Sequence, residues 1–318
     1  MDIIKKENIL KGADGERLSG YVYIQSYSES PTKNGGSYIG GVLQADGDMQ
    51  FKVWGKSYAI DKMRMADMQN KICTIDGYIN EYGGVNSVII EDIAVVEDDE
   101  AEKLGLNKVM FYHNKYNVEA YWKTMTSILQ KNLSEQAMYI FNIIMETTIN
   151  DKGETLKDKF MWEYAAISYH DNCVSGLLAH TTKVLNMCKI IKVYPEIQER
   201  IGTDLLYLGV ALHDIGKVLE YDGGSISNMG MRLSHNILGV MILEKHEEEI
   251  VKLKGGDFYS MLVAIISQHH GEYGDRPRTL AAYVINQIDC LDSTLTLLNQ
   301  TLENGVSEQI KFDGYKLV

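Results

Sequence analysis

The chain has 318 residues, 45% of them hydrophobic and 24% charged, a composition with enough apolar surface for more than one core, which excludes disorder throughout. Lys and Arg number 31 against 44 Asp and Glu, a net charge of −13, so no general basic field gathers nucleic acid or anionic lipid from a distance. Any polyanion has to be held locally. The length suits two domains, or three small ones. Cys73, Cys173, Cys188 and Cys290 are far apart and form no C-x-x-C pair, which predicts buried, reduced thiols and suits a cytosol. Met1 to Gly15 lacks the apolar core of a signal peptide, and no later run approaches the roughly 20 apolar residues that span a bilayer. The expectation is a soluble, cytoplasmic protein with no membrane partner.

Alternating segments broken by Gly, Asn and Asp predict strands at Leu18–Tyr27, Ser37–Ala45, Met49–Trp54, Lys71–Tyr82 and Val85–Val95. Asn34-Gly35-Gly36, Asp46-Gly47-Asp48 and Tyr82-Gly83-Gly84 supply the positive φ of tight reversals. A helix is expected over Ala59–Gln69. Three strands, a helix and two strands is the order of an OB-fold, which binds single-stranded nucleic acid or oligosaccharide; a small non-binding barrel gives the same pattern. Tyr21, Tyr23, Tyr38, Phe51, Trp54 and Tyr78 lie on these strands, and Tyr23, Tyr38, Phe51 and Trp54 are the candidates for stacking on bases. Alternation sends about half of such residues into the barrel.

The acidic run from Glu97 to Glu102 marks a composition shift and reads as a solvated linker or helix start. The expected organisation is therefore an OB-fold domain over 1–97, a helical linker region over 98–150 and an all-α domain over 151–318, with helices of 12–20 residues to about Leu302. His180 falls on the inward stripe of Leu177, Thr181, Val184 and Cys188; alone, it reads more often as a core histidine. His213-Asp214 ends an apolar helix with no basic partner in its stripe, a costly arrangement unless something positive neutralises the carboxylate. A metal ion does that. His235 opens the next helix, His269-His270 end a helix over Met261–His270, and Asp289 points inward beside Ile285 and Ile288.

The order His, His-Asp, His, His-His, Asp over successive helices resembles the HD-domain metal phosphohydrolases. More closely, the chain resembles the YhaM-type 3′-5′ exoribonucleases, which join an N-terminal OB-fold to a C-terminal HD domain. The resemblance runs through Cys173-Val174-Ser175-Gly176-Leu177, Asp204-Leu205-Leu206-Tyr207, Leu212-His213-Asp214-Ile215-Gly216-Lys217-Val218, Ser267-Gln268-His269-His270-Gly271 and Ile288-Asp289-Cys290-Leu291-Asp292.

The resemblance implies two divalent ions, one held by His180, His213, Asp214 and Asp289, the other by the bridging Asp214 with His235, His269 and His270. Imidazole-rich sites suit Mn²⁺, the first choice, or Co²⁺, Fe²⁺ and Ni²⁺ better than Mg²⁺. Such a pair, about 3.5–4 Å apart, activates a water against phosphorus, so no protein nucleophile is needed. Asp214 and Lys217 are the expected catalytic residues, with Lys217 on a phosphate oxygen; a solvated lysine is the alternative. His170 matches a His-containing stretch of the family, although the family commonly shows a second His where Asp171 stands. Arg276 and Arg278 are candidates for backbone phosphates, although exposed loop arginines usually do nothing specific. The expected activity is 3′-5′ release of nucleoside monophosphates from single-stranded RNA, and from single-stranded DNA as well, by a homo-oligomer. The rivals are hydrolysis of small or cyclic nucleotides, and nucleic-acid binding with an inert HD domain.

Overall fold

Alternation in the first part of the chain produces β1 (Arg17–Pro31), β2 (Ser37–Gln44), β3 (Asp48–Trp54), β4 (Lys71–Tyr82) and β5 (Val85–Val95). The computed structural model describes residues 1–32, 35–112, 114–151, 153–167, 171–271, 274–303, 310–312 and 315–317. The five strands close a barrel in the order β1-β2-β3-β5-β4, with β1 antiparallel to β4 and β3 parallel to β5. With the helix Tyr58–Met65 between β3 and β4, this is the arrangement of an OB-fold. Met49, Phe51 and Val53 of β3 turn inward with Ile39, Leu43, Ile75 and Ile79, whereas Lys52 and Trp54 turn out.

Three details differ from the sequence reading. β1 runs past Tyr27 because it keeps pairing with β2 as far as Pro31 and Ser37, across a register shift between Ile24 and Ser26. The helix stops at Met65, short of Gln69, and Met68 then turns into the core. The compact N-terminal unit extends through the acidic run, which forms the helix Asp98–Lys103, as far as Asn114. Phe111 is fully buried in it, and its carbonyl accepts from the N–H groups of Asp46 and Gly47.

The second unit, Lys115–Val318, is helical around one apolar core. Its helices include Val118–Asn132, Glu135–Met145, Gly176–Met187, Thr203–Leu212, His235–Glu244, Gly256–Gln268 and Leu280–Glu303. Several are shorter than the predicted 12–20 residues, down to the four of Lys217–Glu220, while Leu280–Glu303 has 24. Hairpins at Tyr221–Asp222 with Ser225–Ile226, and at Ile310–Phe312 with Tyr315–Leu317, were not predicted, although Gly223-Gly224 and Asp313-Gly314 in the sequence are turn signals of the kind read in the barrel. Thr203–Leu212 is the central helix: it is apolar on every side, and every residue from Leu205 to Leu212 is buried. The side chain of Ser134 accepts from Ala137 N–H to start Glu135–Met145, and a Thr155/Asp158 capping box starts Leu156–Phe160.

All four cysteines are free thiols, but only Cys73 and Cys188 are buried; Cys173 is half-buried and Cys290 exposed, because it faces away from the core on the last long helix. Among the described residues, no helix is long and apolar enough to cross a membrane.

Candidate metal centre

Each candidate ligand is delivered by the end or the inward face of a helix. His180 lies in the second turn of Gly176–Met187, whose first residue must be small: a Cβ on Gly176 would stand 1.9 Å from the Asp171 carbonyl oxygen. His213 and Asp214 follow directly on Thr203–Leu212, and His235 opens His235–Glu244. Those two segments meet at Gly216, where a Cβ would stand 1.9 Å from the His235 carbonyl oxygen. That glycine is what lets His235 approach Asp214. His269 and His270 follow Gly256–Gln268, and Asp289 lies on Leu280–Glu303.

The two carboxylate oxygens of Asp214 face two different groups. Oδ2 lies 3.3 Å from His213 Nε2 and 3.5 Å from His180 Nε2, which is itself 3.1 Å from Asp289 Oδ1. Oδ1 lies 3.3 Å from His269 Nε2 and 3.7 Å from His235 Nε2, with His270 Nε2 only 2.6 Å beyond His235 Nε2. His180, His213, His269 and Asp214 form a buried floor; the side chains of His235 (12% exposed) and Asp289 (14%) reach towards solvent.

Four of the rings are oriented by acceptors behind them. The Nδ1–H of His180 donates to Asp292 Oδ2 at 2.8 Å, and that of His235 to Glu220 Oε2 at 2.7 Å. His213 and His269 use the carbonyls three residues back, Val210 at 2.7 Å and Ile266 at 3.0 Å. A carboxylate or carbonyl can only accept, so each bond places the proton on Nδ1 and turns the Nε2 lone pair to the common centre. The Nε2 atoms of His180 and His213 lie 3.3 Å apart, and those of His235 and His270 converge likewise. Asp214 Oδ1 and His269 Nε2 are buried with no hydrogen-bond partner among the described residues. Such a convergence of imidazole nitrogens and carboxylate oxygens, with Lys217 Nζ donating to Asp214 Oδ2 alone, fits a divalent metal cation.

The electrostatics agree. Burial opposes charge on Asp214, but the Lys217 ammonium and His213 hold its carboxyl well below the usual range. Burial likewise opposes charge on Asp289, and its hydrogen bond with His180 outweighs it. Burial and the neighbouring His269 push His270 down to about 3, and burial lowers His269, so both rings are neutral and free to ligate. Without a cation at its Nε2, His180 is instead pushed up to about 10, because the hydrogen-bonded Asp289 and Asp292 overcome the burial that disfavours its charge. A metal competes with that proton.

The remaining candidates divide. Lys217 is not a solvated lysine: its side chain is 8% exposed and its Nζ lies 2.7 Å from Asp214 Oδ2. The carboxylate therefore does have a basic partner, contrary to the reading of its stripe, one helical step of three residues away. His170 lies outside the described residues. Arg276 and Arg278 are exposed. Phe51 is a barrel-core residue, 1% exposed, and cannot stack on a base; its odd register position opposes that of Trp54. Tyr23 is also withdrawn, at 5%, because the rings of Phe111 and Tyr112 cover it at 6.5 and 5.7 Å. Tyr38 and Trp54 pair across β2 and β3 with centroids 5.5 Å apart, and Lys52 Nζ lies 5.9 and 5.8 Å from the two rings. Tyr21 and Tyr78 are half-buried. Sequence reasoning assigned no role to Asp292, Glu220 or Lys52. Alternation could have found Lys52, which shares a face with Trp54; nothing local announces the two carboxylates.

Residues 177–294 match the HD domain family. The 3′-5′ exoribonuclease YhaM of Bacillus subtilis (strain 168) is 28% identical over 303 residues, covering 91% of this chain and 88% of that protein. The protein of the same name from Geobacillus sp. (strain WCH70) is 26% identical over 301 residues, covering 91% and 86%. Among solved structures, the mitochondrial single-stranded DNA binding protein Rim1 of S. cerevisiae is 14% identical, covering 26% of this chain and 98% of that one with a TM-score of 0.24. The chain thus carries an HD domain and resembles the YhaM-type 3′-5′ exoribonucleases along nine-tenths of its length.

Proposed function

We propose that this protein is a metal-dependent 3′-5′ exoribonuclease that releases nucleoside monophosphates from single-stranded RNA, and from single-stranded DNA as well, with Mn²⁺ as its preferred ion. The observation that carries this reading is the placement of Asp214, whose two oxygens face two separate imidazole groups. The likeness to 3′-5′ exoribonucleases, matched over nearly their whole length, supports the reaction.

Two divalent ions bound there would supply an activated water and neutralise charge on the leaving oxygen. The protein's own groups do the rest. Asp214 joins the two halves of the site. The buried His180, His213 and His269 close its floor to bulk water, so the substrate approaches from the side of His235 and Asp289. Lys217 adds a positive charge at Asp214 and is the group to hold a non-bridging phosphate oxygen. In the barrel, Tyr38, Trp54 and Lys52 form an aromatic and cationic platform, which suits single-stranded nucleic acid without sequence preference.

The test is incubation of Mn²⁺-loaded protein with RNA labelled at either end. Mononucleotides released progressively from the 3′ end are expected. Intact RNA alongside hydrolysis of a small or cyclic nucleotide would transfer the assignment to that substrate class.

A further inference from the structure

One charge array, with buried carboxylates and a Lys183 side chain 27% exposed, lies behind the metal centre. Lys183 Nζ donates to Asp171 Oδ2 at 2.7 Å and to Thr296 Oγ1 at 2.6 Å, and lies 3.3 Å from Asp292 Oδ2. Asp292 Oδ2 accepts from His180 Nδ1 at 2.8 Å, and the Tyr116 hydroxyl donates to Asp171 Oδ1. Asp171 and Asp292 are 0% and 1% exposed. Ligand atoms of Asp171, His180 and Asp292 come close enough together to resemble a third metal site. The Lys183 ammonium already pairs with both carboxylates of that group.

We infer that Lys183 is a positioning residue for His180: its ammonium fixes the Asp292 carboxylate so that this accepts the Nδ1 proton and Nε2 faces the metal centre. The argument is one of geometry and charge. Two buried carboxylates, Asp171 and Asp292, lie against one ammonium, and such like charges are costly to bury together without a cation between them. Asp171 and Thr296 accept from two of the three ammonium donors, which aims the charge at Asp292 Oδ2, 3.3 Å away. Asp171 keeps Lys183 in place, and its own position is set by Tyr116 and by a left-handed backbone conformation, φ 51°. His235, in the other half of the site, has Glu220 behind its ring, and among the described residues no lysine pairs with that carboxylate, so the array distinguishes the two halves.

The inference rests on the metal-dependent reading for its effect on activity, but its first test does not. In metal-free protein with ¹⁵N-labelled histidine, the His180 Nδ1–H is expected as a low-field, slowly exchanging resonance, identified by its absence from Asp292→Ala. Lys183→Met should lose it while the far-UV spectrum and the remaining histidine signals stay. If that variant fails to fold, Lys183→Met with Asp171→Asn removes one charge of each sign and keeps the test. In calorimetric titration with Mn²⁺, the variant should bind one ion as wild type does and the other ten- to hundredfold more weakly. Glu220→Gln should weaken the opposite ion. Persistence of the Nδ1–H resonance in either folded variant overturns the positioning role. Wild-type protein that takes up no ion would overturn the metal reading alone, since the resonance is read without metal.

Discussion

His213 and His269 occupy equivalent places on two different helices: each is the first residue past the helix, and each donates its Nδ1–H to the carbonyl three residues back. Their rings stand edge to face, 5.0 Å apart. Carbonyls in the last turn of a helix have no partner within it, so the same terminal geometry yields an oriented imidazole twice. Asp214 lies within 3.3 Å of both rings, one oxygen to each.

Asp214→Ala should therefore abolish uptake of every ion, whereas His235→Ala should lose ions only from the His269 and His270 side. Elemental analysis of Mn²⁺-equilibrated, desalted protein checks this. Metal-free wild type under the same conditions would sink the centre.

Lys217→Met should keep its metal, because removing the ammonium leaves Asp214 more negative. Its kcat/KM on RNA should fall by about 2–4 kcal/mol of transition-state stabilisation. Steady-state kinetics at fixed metal content measures it, and unchanged kinetics would leave Lys217 as a purely structural partner of Asp214.

Gly216→Ala places a methyl where the His235 carbonyl oxygen stands. The two segments must separate, so about 1–3 kcal/mol of stability should be lost, together with affinity on the His235 side. Thermal melting combined with metal titration checks both. A fully stable, fully loaded variant would mean that the close approach is dispensable.

Trp54→Ala should weaken RNA binding by about 1–3 kcal/mol while the barrel stays folded, because its ring is 43% exposed. Lys52→Ala should reduce the salt dependence of binding by about one phosphate contact. Phe51→Ala should instead cost about 3–5 kcal/mol of stability, being in the core. Fluorescence anisotropy with labelled oligonucleotides separates these outcomes; wild-type affinity in Trp54→Ala would move the binding face elsewhere.

Burial opposes charge on Asp204, but this carboxylate accepts from Lys254 and from the hydroxyl and N–H of Ser134, and together these partners hold the Asp204 carboxyl below its ordinary value. Its folded pKa is depressed, so its contribution is complete above about pH 5 and disappears as pH falls through the folded value. Asp204→Asn should cost about 1–2 kcal/mol between pH 6 and 8, with the gap closing in acid. Urea unfolding across pH is the measurement, and a gap that widens in acid would contradict the assignment.

Much of this molecule was legible in one dimension because its signals are local. Period-two alternation and glycine turns determine strands, and four predicted strand ends at Tyr82, Val85, Val95 and Trp54 coincide with those in the barrel. The ordered run of His and Asp drew attention to His180, His213, Asp214, His235, His269, His270 and Asp289 because buried polar side chains on apolar helices demand a partner. Even the contact of Lys217 with Asp214 was within reach of spacing alone, at three residues along a helical turn. Tertiary structure alone decided what meets over long separations. Asp292 reaches His180 across 112 residues, and no periodicity reports which of two inward carboxylates, Asp289 or Asp292, faces the Nε2 edge of the ring and which the Nδ1 edge. Tyr23 alternates outward on β1, yet Phe111 and Tyr112 fold back over it, so a residue that alternation offered to a base is buried by its own chain. A strand's period determines which way a side chain points; only the packing of distant segments determines what waits there.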